Sequence, residues 1–166
     1  MYKREEEVDG VVVDPLKALH QVRGVTAREL CHHFFSPDVR MEWETTLEQT
    51  SVIEKISGDA LLFWQIHKRV WPTAQRDACF WSHMRKIEHS SIGDNSGNLQ
   101  DTWVVCNKTV EHPKAPKNQN GCIRIDMTVI FVCSTVIDER AKKRLRGAAT
   151  ATRCCCARRA ALGGGG

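Results

Sequence analysis

The chain has 166 residues, of which 42% are hydrophobic and 27% charged, a composition typical of a single globular domain rather than a disordered chain. No apolar run approaches the roughly 20 residues of a membrane-spanning helix, and the N-terminus has no apolar signal segment. The net charge of +4 comes from the C-terminal end, because residues 1–138 carry 16 Lys or Arg against 19 Asp or Glu, and no nucleic-acid partner is therefore expected.

The beginning of the chain predicts short strands. The dipeptide Asp9-Gly10 is suited to a two-residue hairpin turn between residues 2–8 and 11–13, and a β-capable stretch follows at residues 16–25. We therefore expect the chain to open on strands.

Two short helices are predicted next. Thr26 and Glu29 have the spacing of a capping box, which predicts the N-terminus of a helix at this point. The apolar side of that helix is formed by Leu30, Cys31, Phe34 and Phe35. The run Ser36-Pro37-Asp38 then predicts the cap of a second helix, with proline in its first turn.

Long β segments follow, separated by polar loops. We expect them at residues 48–56, 59–71, 76–87, 101–112 and 122–137. In the last segment, the expected apolar face is Ile123, Ile125, Met127 and Val129, and the expected solvated face is Arg124, Asp126 and Thr128. The segments predict an α+β fold, a curved antiparallel sheet with two short helices on one side.

The periodic pattern stops after Ile137. Residues 138–166 are basic, low in complexity and without an apolar face, so we expect a disordered tail after a domain of residues 1–137. An out-of-frame or mis-spliced end explains this composition better than a basic arm that binds RNA or acidic lipid.

Two amide side chains interrupt the apolar sides of predicted strands. Alternation places Gln65 on the side of Phe63, and it places Asn107 on the side of Val105. A buried amide needs hydrogen-bond partners. An amide satisfied by backbone or water and an amide that binds a ligand fit this pattern equally well.

Glu44 follows Arg40 by four residues, a spacing that permits a salt bridge if the second helix extends this far. A carboxylate held beside an apolar cavity would accept hydroxyl hydrogens from a ligand, and Arg40 could orient it. From the residues alone, a solvated surface pair is the better interpretation, since such side chains are seldom fully buried.

Trp71 follows two basic residues and precedes a proline at the end of a predicted strand. An exposed tryptophan beside cations suits the interface of a bilayer, and a half-buried rim aromatic is an equally good interpretation.

Nothing in the sequence indicates a catalytic or metal site. His67 continues the face of Gln65 without a nearby pair of carboxylates, and the cysteines before the tail lack the spacing of metal ligands. They are expected to be buried thiols in a reducing cytosol. No nucleophile or phosphate-loop motif is found, so we expect no cofactor and no enzymatic activity.

Several stretches together resemble the START family of lipid-binding domains, in its ceramide-transferring branch, from about Met1 to Ile137. They are VDPLKA (13–18), DVRMEWETT (38–46), QIHKRVWP (65–72), QRD (75–77) and TWVVCN (102–107). The resemblance implies a helix-grip fold, in which a curved antiparallel sheet wraps a long C-terminal helix and encloses a cavity for one lipid.

The same resemblance implies roles for individual residues. It gives Trp71 a contact with the membrane during lipid exchange, and Phe80 stands where the family carries a tyrosine, which removes one hydroxyl. The positions that hydrogen-bond the amide and hydroxyl groups of ceramide, or support those that do, are Arg40, Glu44, Gln65 and Asn107.

The N-terminal helix and the C-terminal lid helix of that family are not found in this sequence. We therefore expect an incomplete domain that is weakly stable alone and retains lipid poorly. The expected function is non-vesicular transfer of a lipid, ceramide first, in the cytoplasm, by a parent protein acting at endoplasmic reticulum and Golgi membranes. Alternatives are a START-type binder of phospholipid or sterol, a lipid hydrolase of the same fold, and a truncated fragment without function.

Overall fold

Strands dominate the computed structural model, which describes residues 2–3, 6–8, 11–13, 15–88, 99–137 and 150–162, the last of these as backbone. The opening strands are β1 (Tyr2–Lys3), β2 (Glu6–Val8), β3 (Val11–Val13) and β4 (Leu16–Arg23). Two helices follow, α1 (Ala27–Phe35) and α2 (Pro37–Trp43). The remaining strands are β5 (Leu47–Lys55), β6 (Ala60–His67), β7 (Arg76–Ile87), β8 (Leu99–Thr109), β9 (Ile123–Ile137) and β10 (Thr150–Leu162).

All the described strands belong to one sheet, in the order β1-β4-β10-β9-β8-β7-β6-β5, with β3 also paired to β10 and β2 to β3. Strands β5 to β9 are neighbours in chain order, and each consecutive pair is antiparallel. This confirms the predicted curved antiparallel sheet with two short helices. One pairing was not predicted: Asp77 at the start of β7 pairs in parallel with Arg124 of β9, because β8 ends before reaching them.

The C-terminal segment differs from the predicted disordered tail. The backbone of residues 150–162 forms β10, which is antiparallel to both β9 and β4. Composition did not reveal this strand, because pairing through backbone N–H and C=O groups requires no apolar periodicity. Residues 138–149 and 163–166 lie outside the described residues, as does the predicted Asp9-Gly10 turn.

Helix α1 packs on one face of the sheet, which we call the inner face and which carries Phe63 and Phe80. The buried residues of the helix are Ala27, Cys31 and Phe35. The first helical N–H, that of Ala27, donates to the buried Thr135 Oγ1 of β9 at 2.7 Å. Apolar packing and this hydrogen bond together hold α1 against the sheet.

The predicted helix caps are found in part. Thr26 Oγ1 accepts from the Glu29 N–H at 3.2 Å, and the Glu29 carboxylate accepts from the Thr26 N–H at 2.8 Å, which completes the capping box. Pro37 opens α2 as expected, but the Ser36 side chain makes no capping hydrogen bond. Ser36 is also the residue that ends α1, where its N–H donates to a carbonyl of that helix. Within the described ranges, neither helix is long and apolar enough to cross a membrane.

Candidate functional site

Gln65 lies on β6 with its side chain on the inner face, and it is 2% exposed. Its Nε2 donates to Thr50 Oγ1 of β5 at 3.2 Å, and this cross-strand bond fixes the orientation of the amide. A glutamine amide has two donor hydrogens and an acceptor oxygen, so one such bond leaves it able to bind a further polar group.

Asn107 lies on β8, also on the inner face, and its buried Oδ1 has no hydrogen-bond partner. Ser82 of β7 is directly opposite in the register, is fully buried, and has an Oγ that also lacks a partner. A buried polar atom without a partner costs about 1–3 kcal/mol. A polar ligand group that formed hydrogen bonds with Ser82 and Asn107 would remove this cost, so the pair is a candidate binding position.

Arg40 on α2 is 6% exposed in spite of its charge. Its Nη1 donates to the Phe34 carbonyl oxygen at 3.1 Å, while its Nε has no partner. The guanidinium Cζ lies 5.1, 5.5 and 5.8 Å from the ring centroids of Phe34, Trp43 and Phe80. Burial lowers the pKa of Arg40, and the negative charge of Glu44 raises it to a smaller extent.

Glu44 is half-buried at the C-terminus of α2, and it does not form the salt bridge with Arg40 that the four-residue spacing would permit in a longer helix. Its N–H donates to the Arg40 carbonyl oxygen at 3.0 Å, which ends the helix, and its Oε1 accepts from Thr46 Oγ1 at 2.6 Å. The four-residue spacing fails to produce an ion pair because Glu44 is the cap residue, with φ −86° and ψ 77°, and has left the helical path.

Strand β7 relates these groups to one another. Gln65 pairs with its residue Ala78, and Asn107 pairs with its residue Ser82, four positions further along. Between Ala78 and Ser82 on β7 lies Phe80, whose ring is one of those that the Arg40 guanidinium contacts. Four positions span roughly 13 Å of extended strand. The structure thus brings three of the predicted site residues to one stretch of the inner face, and Glu44 lies in the turn before β5.

The unpartnered buried atoms of this region differ in hydrogen-bonding character. Helix α2 supplies two donors, Arg40 Nε and Trp43 Nε1, while the sheet supplies the acceptor Asn107 Oδ1 and the hydroxyl of Ser82. Phe80 is fully buried among them and contributes no hydroxyl. Such a set matches a neutral ligand that has both donors and acceptors.

The turn after β6 exposes a tryptophan among basic residues. Trp71 is 83% exposed and Val70 is 69% exposed, and Lys68 and Arg69 are also exposed. The Thr73 N–H donates to the Val70 carbonyl oxygen at 2.9 Å, and Arg69 Nε donates to the Thr73 carbonyl oxygen at 3.2 Å. The exposed side chains of Val70 and Trp71 are therefore held on a turn closed by hydrogen bonds, beside the cationic side chains of Lys68 and Arg69.

Sequence reasoning missed a buried ion pair on the outer face of the sheet, opposite α1. Arg124 Nε and Nη2 donate to the two carboxylate oxygens of Asp77 at 2.9 and 2.8 Å, and Trp64 Nε1 donates to the same carboxylate at 2.9 Å. The hydrogen bond to Asp77 raises the pKa of Arg124.

The expected exposure of the first two residues of β9 is therefore wrong, although the strand alternates its sides as predicted. Arg124 is 7% exposed and Ile123 is 38% exposed, the reverse of the predicted pattern. The reason is that the loop before β9 covers Arg124, whose Nη2 donates to two loop carbonyl oxygens at 3.0 and 3.2 Å. Two residues 47 positions apart form this pair, so no local pattern could reveal it.

A pocket of about 380 Å³ lies beside this ion pair, between loop residues 111–117 and Arg124. It is on the outer face, away from Gln65 and Asn107. Its Arg124 is paired with Asp77, and its Lys117 is paired with a carboxylate of the same loop. The pocket therefore does not have the position of the predicted lipid site, and its two cationic side chains are each paired with a carboxylate. In the part of the chain that the structure describes, no group of three or more His, Cys, Asp or Glu is placed to hold a metal ion.

Comparison with known protein families and sequences gives one consistent result. The family model of the START domain matches residues 1–141. The ceramide transfer proteins of Xenopus tropicalis and Homo sapiens are 45% and 44% identical to the chain over 137 residues, which are 82% of this chain and 21% of each relative. The chain thus spans about a fifth of the length of these curated relatives.

Solved structures share the fold at low identity. Human STARD10 has a TM-score of 0.69 and 13% identity, with 98% of this chain and 62% of that chain covered. The human StarD13 (DLC2) lipid transfer and protein localization domain has a TM-score of 0.64 and 15% identity, with coverage of 98% and 70%. At these identities the likeness shows the architecture alone.

Proposed function

The chain belongs to the START domain family, and from this premise we propose that it binds a lipid on the inner face of its sheet for non-vesicular transfer between membranes. The lipid we propose is ceramide, which the names of its relatives specify. The observation that carries the proposal is the set of buried, unpartnered donors and acceptors shared by α2 and the inner face.

The chemistry of ceramide suits this set. Its head group is neutral and small, with two hydroxyls and one amide, so it offers donors to Asn107 and Glu44 and acceptors to Arg40 and Gln65. Its hydrocarbon chains would lie against the apolar residues of the same face. A lipid with a positively charged head group would instead need a buried negative counter-charge.

The proposed role is binding and release, without chemical change of the lipid. We propose that this takes place in the cytoplasm, with the parent protein working at endoplasmic reticulum and Golgi membranes. Trp71, on its exposed turn, would make the transient membrane contact.

The role of Glu44 provides the test of this function. We expect Glu44→Ala to weaken extraction of ceramide from phosphatidylcholine vesicles by about tenfold or more, because one hydrogen bond to a charged group contributes about 1.5–3 kcal/mol. Glu42→Ala, an exposed carboxylate on the same helix, is the matched control and should leave extraction unchanged. Unaltered ceramide extraction by Glu44→Ala, together with extraction of phosphatidylcholine or sterol, would favour a different lipid.

The exposed turn leads to a separate prediction about membrane contact. Trp71→Ala should weaken partition of the chain onto vesicles by about tenfold or more, because burying a large apolar side chain contributes about 1.5–3 kcal/mol. Trp71→Phe should retain most of the partition. Sedimentation with vesicles measures both variants, and equal partition of Trp71→Ala and the unchanged chain would rule out this contact.

A further inference from the structure

We propose that Ser82 and Asn107 together form a hydroxyl-binding pair, which selects lipids with a free hydroxyl against lipids without one. The inference rests on the proposed lipid-binding function and adds Ser82 to it as a specificity-determining residue. Neither the sequence pattern nor the resemblance pointed to this serine.

The pair sits in an otherwise apolar row across the sheet. Leu61, Ser82, Asn107 and Val129 lie side by side on β6, β7, β8 and β9. They are 7%, 0%, 1% and 8% exposed, respectively. The two polar residues therefore have apolar neighbours on both sides within the row.

Geometry and chemistry limit what can satisfy both residues. Directly opposite residues of antiparallel strands have Cβ atoms about 4.5–5.5 Å apart. Ser82 Oγ and Asn107 Oδ1 nevertheless make no hydrogen bond to each other or to any other group of the described chain.

A hydroxyl group satisfies both atoms at once, because its hydrogen is donated to Asn107 Oδ1 while its oxygen accepts from the Ser82 hydroxyl. An amide N–H cannot accept, and a carbonyl oxygen cannot donate. Ceramide carries such hydroxyls, whereas phosphatidylcholine has none. The pair would thus favour ceramide over the bulk phospholipid of the membrane that holds it.

The test uses the full chain and phosphatidylcholine vesicles that contain either ceramide or ceramides methylated on one hydroxyl oxygen. We expect the unchanged chain to bind at least one methylated ceramide about tenfold more weakly than ceramide. Ser82→Ala should bind ceramide about three- to tenfold more weakly than the unchanged chain and should lose most of this discrimination.

Two further measurements separate this role from a structural one. The thermal midpoint of lipid-free Ser82→Ala should equal or exceed that of the unchanged chain, because a buried unpartnered hydroxyl is removed. Ser51→Ala, on the outer face of β5, is the matched control and should bind both lipids as the unchanged chain does.

Each remaining result overturns the inference. Normal ceramide binding and discrimination by Ser82→Ala would show that the serine takes no part, and the proposed function would stand if Glu44→Ala still lost ceramide. A lowered thermal midpoint with normal binding would show that the hydroxyl has a structural partner instead. If the unchanged chain bound no lipid, the proposed function and this inference would both be wrong.

Discussion

Asp77→Ala is expected to destabilise the lipid-free chain by about 3–5 kcal/mol, because it leaves the Arg124 guanidinium buried without its carboxylate. The two side chains are 0% and 6% exposed, so the Arg124 guanidinium has little contact with bulk water to offset the loss of its carboxylate. Trp64 Nε1 would lose its acceptor as well. Since a domain is typically stable by about 5–15 kcal/mol, this variant would be close to unfolding. Urea unfolding followed by circular dichroism measures the difference.

Two further variants test whether the loss of stability in Asp77→Ala comes from the buried ion pair. Lys117→Ala breaks an exposed ion pair with Glu111 in the loop beside Arg124 and should cost less than about 1 kcal/mol. The double variant Asp77→Leu with Arg124→Met should recover much of the loss, because no unpaired charge remains buried. A loss from Asp77→Ala no larger than that from Lys117→Ala would contradict the buried ion pair.

The double variant Gln65→Leu with Asn107→Leu is expected to bind ceramide about a hundredfold more weakly than the unchanged chain. Each substitution removes a hydrogen-bonding amide from the inner face, and each loss is worth about tenfold if the two sites act independently. Leucine is similar in size and apolar, so the face stays filled. The vesicle extraction assay with ceramide gives the ratio directly.

The free energy of unfolding of this double variant should stay close to that of the unchanged chain, although its affinity for ceramide falls. Asn107→Leu removes an acceptor that has no partner, and Gln65→Leu removes only the bond to Thr50, so lipid-free unfolding should shift little. Gln49→Leu, an exposed glutamine on β5, is the control for the added apolar surface. Ceramide binding retained by the double variant would mean that these amides serve the core and not a ligand.

Local patterns were enough to predict much of the fold. The capping box of Thr26 and Glu29 and the period-two alternation of β6 and β8 are properties of neighbouring residues, so they could be found in the sequence. The same alternation predicted that Gln65 and Asn107 interrupt the apolar side of their strands, and both are buried on the inner face.

The features that the sequence did not predict depend mainly on which strands pair in the sheet. Asp77 and Arg124 pair only because β8 ends early and lets β7 contact β9. Ser82 becomes notable only when the register sets it opposite Asn107, since serine is common in strands and has no pattern of its own. Arg40 and Glu44 do not form the ion pair that their spacing would permit, because the helix ends before Glu44, a boundary that spacing alone does not fix.

Native mass spectrometry of the full chain, after incubation with phosphatidylcholine vesicles that contain ceramide, tests the central claim most directly. We expect a complex of one protein chain with one ceramide molecule, which is lost in the double variant Gln65→Leu with Asn107→Leu. A chain that remains free of lipid, or that takes up phosphatidylcholine as readily as ceramide, would contradict it.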